Sequence, residues 1–210
     1  MKRGPEPDYY ARRAKELGYP ARSVFKLQEL QQRFRLISRG NLVLDIGAAP
    51  GSWSLYVLKE LKARVIGVDL NETALKGRAH PDFTFILGDV LDQAVQNQIR
   101  DLGPYNAILS DAAPSTSGSR LVDSARSGEI AERVFDLARS CLRTGGNLVV
   151  KILQGGSERE LLNAMRTVFR SARALKPKAC RKESTETYLL GIEYLKKVLD
   201  GRVVDGHNAL

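Results

Sequence analysis

Apolar positions along the chain fall into two rhythms. Short runs at 42–46 (LVLDI), 64–70 (RVIGVDL), 83–87 (FTFIL), 105–110 (YNAILS) and 147–153 (NLVVKIL) have strand length and strand composition. Between them, apolar residues recur at spacings of three and four, as on an amphipathic helix. Helices are expected over 52–61, 91–102, 129–143 and 158–170. Two more precede the first strand. Residues 7–18 (PDYYARRAKELG) should form one, capped by Asp8 and ended by Gly18. Residues 23–37 (SVFKLQELQQRFRLI) should form the other. Its N-cap is Ser23 and its stripe is Val24, Leu27, Leu30, Phe34 and Ile37. Two last strands, 172–176 and 185–192, are separated by a basic turn at 176–182 instead of a helix. This order predicts an α/β protein: a Rossmann-like, mostly parallel seven-stranded sheet with one antiparallel edge strand and helices on both faces. One domain over 1–210 is expected, with basic N-terminal helices in 1–40, a core over 41–192 and a tail over 193–210, frayed towards its end.

The first strand carries one acid, Asp45, and runs into Gly47-Ala48-Ala49-Pro50-Gly51. Strand, glycine turn and helix make the first crossover of an open sheet. Gly47 and Gly51 should let the backbone approach a ligand closely. Such sheets bind ligands beyond the carboxyl ends of their strands. The pattern is GxxxG, not GxGxxG, and it lacks the GKS or GKT ending of a phosphate loop. Pro50 removes an N–H where a pyrophosphate would need donors. A nucleoside cofactor without phosphates fits better, and S-adenosylmethionine is the first to test. The alternative is a purely structural turn.

Acids recur where later strands end. Asp69 lies eighteen residues after Gly51, where it can accept bonds from both hydroxyls of a ribose. Asp89 follows the third strand, near where an adenine would lie. Asp111 follows the fourth and is held at the sheet edge by Pro114. Asp69 or Asp89 alone could be a helix cap; two acids, each at a strand's carboxyl end, are harder to dismiss. Residues 115–128 are small, polar and basic, so a mobile loop beside the site is expected. Cys141 falls on the apolar stripe of the next helix and reads as core, and Gly145-Gly146 should end that helix. Lys151 is the most informative position. It interrupts an apolar run that should be buried on both faces, where lysine needs a partner. It therefore points into a functional cleft or pairs with a carboxylate there. Lys26, beside the stripe of its helix, reads instead as a snorkelling surface lysine.

Charge adds a partner class. The net charge is +9, and it is uneven. Residues 1–40 hold ten Lys or Arg against four acids, and 165–183 hold seven against one. Two basic flanks around a cofactor half suggest a polyanion laid across the surface; the alternative is a generic solvated basic face. Two cysteines and two histidines give neither a disulfide framework nor metal-ligand spacing, so no protein-bound metal is expected. No run reaches transmembrane length, and Met1-Lys2-Arg3 is not followed by an apolar signal core. A cytoplasmic monomer with no membrane partner is expected.

DIGAAPGSWS, SDAAPS, VVKILQG and TETY, preceded by YPARSVFKL, occur in that order between about Tyr9 and Gly191. Together they resemble the FtsJ-type RNA ribose 2′-O-methyltransferases, which depend on S-adenosylmethionine. The resemblance implies a Lys-Asp-Lys-Glu tetrad at Lys26, Asp111, Lys151 and Glu186. It implies cofactor contacts from Gly51, Trp53, Asp69, Asp89 and Asp111, beside Gly47 of the turn. It also implies a uridine ribose of large-subunit ribosomal RNA as substrate. Two departures keep tRNA-modifying relatives open: Ser52, where ribosomal members often have glycine, and SDAAPS, where many members end in Asn. A non-catalytic RNA-binding assembly factor is a further alternative, and two lysines directed at one cleft argue against it. A nicotinamide dehydrogenase is disfavoured by GxxxG and by the basic charge. Within the tetrad Lys151 is the expected base; its other possible role is to stay charged and steer the hydroxyl.

Overall fold

The computed structural model describes residues 9–75, 80–181 and 183–195, together with the backbone of 198–199 and 202–203. The Asp8 cap and most of the tail lie outside the described residues. In chain order the elements are α1 (Tyr9–Glu16), α2 (Val24–Phe34), β1 (Leu42–Ile46), α3 (Ser52–Tyr56), β2 (Arg64–Asp69), β3 (Phe83–Leu87) and α4 (Gln93–Asp101). Then follow β4 (Tyr105–Ser110), α5 (Arg120–Cys141), β5 (Leu142–Leu153), α6 (Glu158–Val168), β6 (Phe169–Leu175) and β7 (Glu186–Tyr194). α3 continues as a π-helical turn over Val57–Leu61. No helix among the described residues is long and apolar enough to cross a membrane.

The seven strands form one sheet in the order β3-β2-β1-β4-β5-β7-β6. The expected mostly parallel sheet with an antiparallel edge is present. β7 is the reversed strand; it runs antiparallel to β5 on one side and to the outermost strand, β6, on the other. Strand order reverses between β1 and β4, which are neighbours in the parallel register Val43↔Ala107 to Ile46↔Ser110. A crevice opens at such a reversal.

The period of two in each strand splits the core into two layers. Leu44, Ile46, Ile108, Leu148, Val150 and Ile152 pack on one face against α4, α5 and α6 through Ile99, Val134, Leu137 and Met165. Val43, Val65, Leu109, Val149 and Leu190 pack on the other against α2, α3 and the π turn through Leu27, Leu30, Trp53 and Val57. Both faces are apolar, as a sheet covered on each side requires.

Several local expectations are corrected. Ser23 makes no side-chain capping bond. α2 ends at Phe34 because Arg35 adopts a left-handed conformation (φ 50°). Ile37 stays buried beyond the helix because the Gln31 amide holds both its N–H and its carbonyl. The expected mobile loop shrinks, since α5 begins at Arg120 and residues 120–128 are helical. The small residues there are packing residues. Ser127 Oγ accepts a bond from the Leu153 N–H, and Ser124 Oγ donates to the Leu153 carbonyl. Gly128 lies against Ser157. Composition suggested a loop because a helix packed closely on a turn also needs small side chains. Gly145-Gly146 do not end α5, which stops at Cys141. They lie in the first half of β5, where its register against β4 shifts between Tyr105 and Ala107.

Candidate active site

Strand alternation aims three polar groups the same way. Asp111 follows Leu109 by two residues, Lys151 follows Val149 by two, and Glu186 precedes Tyr188 by two. Leu109, Val149 and Tyr188 all face the α2–α3 layer, so the three polar side chains do too. Because β7 is antiparallel, its first residue lies beside the last residue of β5, in the register Leu153↔Glu186. From the covering helix, Lys26 reaches down to the same spot.

The four side chains meet. Lys151 Nζ lies 3.0 Å from Asp111 Oδ1, and Lys26 Nζ lies 2.9 Å from Glu186 Oε2. Lys26 Nζ is also 3.8 Å from Asp111 Oδ1. Lys151 donates a further bond to the Asp111 backbone carbonyl. Lys26 is only 8% exposed and Lys151 only 6%. The surface reading of Lys26 is thus overturned. Its ammonium is buried and tolerated because two carboxylates neutralise it. Burial alone would lower the Lys26 pKa, but Asp111 and Glu186 outweigh it and the net shift is upward. For Asp111, burial pushes up while Lys151 and Lys26 pull down, and its carboxyl ends below its ordinary value.

A fifth member was not singled out in the sequence. The Tyr188 hydroxyl donates to Asp111 Oδ1 at 2.6 Å, and its ring faces Lys26 Nζ at 5.6 Å. Burial and Asp111 hold its phenol well above the ordinary value, so it stays a donor. The signal was available: β7 reads polar at Thr187 and aromatic at Tyr188 inside a buried strand.

Beyond the carboxyl ends of β1, β2, β3 and β4 lies a cavity of about 280 Å³. Gly47, Asp69, Asp89 and Asp111 line it, over an apolar floor that includes Val68 and Ile130. Three carboxylates repel phosphate and favour hydroxyls and positive charge. Asp69 also shapes the glycine turn, accepting bonds from the N–H groups of Ala49 (2.9 Å) and Asn71 (2.8 Å). Asp89 Oδ1 takes the Leu91 N–H; its other oxygen has no partner among the described residues. These groups fit S-adenosylmethionine, whose nucleoside offers hydroxyls and whose sulfonium carries positive charge.

Gly51 and Trp53 do not line this cavity. A Cβ on Gly51 would lie 2.6 Å from Thr73 Oγ1, so its glycine serves packing against the segment after β2. A Cβ on Gly47 would lie 2.5 Å from the Ala112 nitrogen, so the two loops at the strand reversal touch backbone to backbone. Trp53 is buried against Tyr188 and donates from Nε1 to the Ser23 carbonyl at 2.8 Å. Ser52 Oγ accepts from the Ala21 N–H at 2.7 Å. Trp53 and Ser52 therefore clamp the N-terminal helices onto the motif and hold Lys26 over the sheet.

Beneath the turn, Asp45 is fully buried. Ser54 Oγ donates to its Oδ2 at 2.6 Å, while its Oδ1 has no partner among the described residues. Burial pushes its carboxyl up to about 7, with Asp111 and Asp69 adding to the effect and the Ser54 bond opposing it.

A sheet of this order, with an acid-lined cavity at the strand reversal, is that of a Rossmann-like methyltransferase. The FtsJ-like methyltransferase family model matches residues 19–194, and the chain belongs to that family. A ribosomal RNA large subunit methyltransferase E from Treponema denticola is 45% identical over 192 residues, covering 90% of this chain and 96% of that protein. One of the same name from Nitratidesulfovibrio vulgaris is 41% identical, covering 89% and 94%. Among solved structures, a ribosomal RNA methyltransferase from Plasmodium falciparum superposes with a TM-score of 0.71 at 26% identity, covering 84% of this chain and 99% of that one.

Proposed function

We propose that this protein transfers a methyl group from S-adenosylmethionine to the 2′-hydroxyl of a uridine ribose in large-subunit ribosomal RNA. The names of the relatives support the substrate class. One observation carries the chemistry: the tetrad stands at the wall between two cavities. Asp111 lines the acidic one. Lys26 and Glu186 line a second, of about 550 Å³, beside Arg22 and Arg181. Donor and acceptor can thus approach the same group of side chains from opposite sides, and alignment of this kind supplies much of the rate in a displacement.

When bound, the cofactor supplies an electrophilic methyl group, so the chain need only align the hydroxyl and manage its proton. Lys151 is the base in this reading. A neutral amine has two N–H bonds and one lone pair. Two acceptors on Asp111, the carboxylate and the carbonyl, take both N–H bonds. The lone pair is left for the ribose hydroxyl. Lys26, kept charged by its two carboxylates, and the Tyr188 hydroxyl hold Asp111 so that this orientation persists. The basic flanks serve the phosphates, and a 2′-hydroxyl acceptor selects RNA over DNA. The site of action is then the cytoplasm, where ribosomal subunits are assembled.

Lys151→Ala tests the role. It should bind S-adenosylmethionine as the wild type does and lose methyl transfer by about a hundredfold or more. A variant that turns over at the wild-type rate removes Lys151 from the mechanism. Supplying undermethylated tRNA beside undermethylated large subunits separates the two RNA classes.

A further inference from the structure

A third cavity, beside the N-terminal helices, remains unused by this chemistry. It measures about 570 Å³ and is lined by Tyr10, Phe25, Gln28, Gln32, Arg33 and Lys178, among others. It shares Ala179 with the cavity that holds Lys26 and Glu186, so the two adjoin. Arg22 spans the junction. It lines the tetrad-side cavity, and its guanidinium lies 5.4 Å from the centre of the Tyr10 ring. The Tyr10 and Phe25 rings are 5.4 Å apart, tilted by 50°.

The rim chemistry is specific. Gln28 and Gln32 are one helical turn apart on α2, and both line the cavity. Neither side-chain amide has a hydrogen-bond partner among the described residues. A glutamine amide offers a donor pair and an acceptor, which matches the edge of a nucleobase. The acid here, Glu29, is already engaged: Arg33 lies 3.4 Å from it and the Lys178 N–H donates to it at 2.7 Å. The cavity therefore combines aromatic rings, base-edge donors and acceptors, and flanking cations. That is the chemistry of a site for an unpaired base.

From this we infer that the Tyr10–Phe25–Gln28–Gln32 cavity holds the base of an unpaired nucleotide flanking the target, on the same RNA strand. Its phosphate passes Arg22, and its neighbour's ribose reaches the tetrad. The inference rests on the RNA reading above and adds a nucleotide-binding site to it. The occupant is RNA because the cavity adjoins the one beside the tetrad and because Arg22 and Lys178 bring positive charge that complements phosphate.

Two variants test it. Phe25→Leu keeps apolar bulk and removes a ring. The double variant Gln28→Ala with Gln32→Ala removes the base-edge groups and touches no tetrad member. Fluorescence anisotropy with a labelled short oligouridylate reads binding directly, without turnover. Each variant should bind it about tenfold more weakly, with S-adenosylmethionine affinity unchanged. The salt slope should stay at the wild-type value, because neither change removes a cation. Wild-type affinity in both variants overturns the site, as does a wild-type protein that binds no oligouridylate. Wild-type turnover on undermethylated large subunits is scored separately. Its failure would count against the proposed reaction, while the oligonucleotide result still decides the site.

Discussion

Replacing Asp45 by asparagine should make the protein more stable at neutral pH and leave it unchanged in acid. The folded carboxyl is pushed up to about 7, against ~3.9 for an unperturbed aspartate. An acid whose folded pKa lies above its unfolded one binds its proton more tightly in the folded state. Wild-type stability is then undiminished below pH ~4 and falls as pH rises through 7. Each unit is worth about 1.4 kcal/mol, so the three-unit gap costs about 4 kcal/mol by pH 8. The asparagine side chain keeps an acceptor for Ser54 Oγ. Its amide nitrogen takes the place of the unpartnered oxygen, as the hydroxyl of the protonated acid does. Other carboxylates titrate in both proteins and cancel in the difference. Urea unfolding at intervals between pH 4 and 8 reads this difference. It should be near zero at pH 4 and grow to about 4 kcal/mol in favour of the variant. Parallel stability curves would refute the reasoning, because the Asp45 charge would then cost nothing in place.

Other perturbations follow from the same geometry. Gly47→Ala adds a Cβ 2.5 Å from the Ala112 nitrogen at a φ of +78°. It should lower stability by about 2–4 kcal/mol from overpacking and left-handed strain, measured by denaturant melts, and weaken cofactor binding by moving the loop after Asp111. Trp53→Phe removes the bond to the Ser23 carbonyl. It should cost about 1–2 kcal/mol of stability, while calorimetry finds cofactor affinity unchanged because Trp53 does not line the cavity. Arg12→Glu with Arg13→Glu should weaken RNA binding and flatten its salt slope by about 0.7 for each phosphate no longer neutralised, whereas an unchanged slope would place the RNA elsewhere.

The strand pattern was legible because most of the strands are short apolar runs. β1, β3 and β4 fall on the expected residues, and Lys151 stands out because an apolar strand has no ordinary use for a lysine. The start of α5 was not legible. Ser124, Ser127 and Gly128 are small because they pack on the 153–157 turn, and a loop has the same composition. Lys26 was misleading for a related reason. Its burial depends on Asp111 and Glu186, 85 and 160 residues away in the chain, and helical periodicity carries no information about partners so remote. The family resemblance placed it in the tetrad where its own helix did not. Gly51 and Trp53, expected at the cofactor, lie against Thr73 and against Ser23 and Tyr188 respectively, outside the lining of the acidic cavity. A glycine freed for backbone packing leaves the same trace in sequence as one freed for a ligand.

The most direct test of the central claim is to incubate the protein and S-adenosylmethionine with undermethylated large ribosomal subunits, digest the RNA and identify its nucleosides by mass spectrometry. The account predicts new 2′-O-methyluridine from the wild type and none above background from Lys151→Ala. A methyl group found on a base, or 2′-O-methylation confined to tRNA in a parallel incubation, would contradict it.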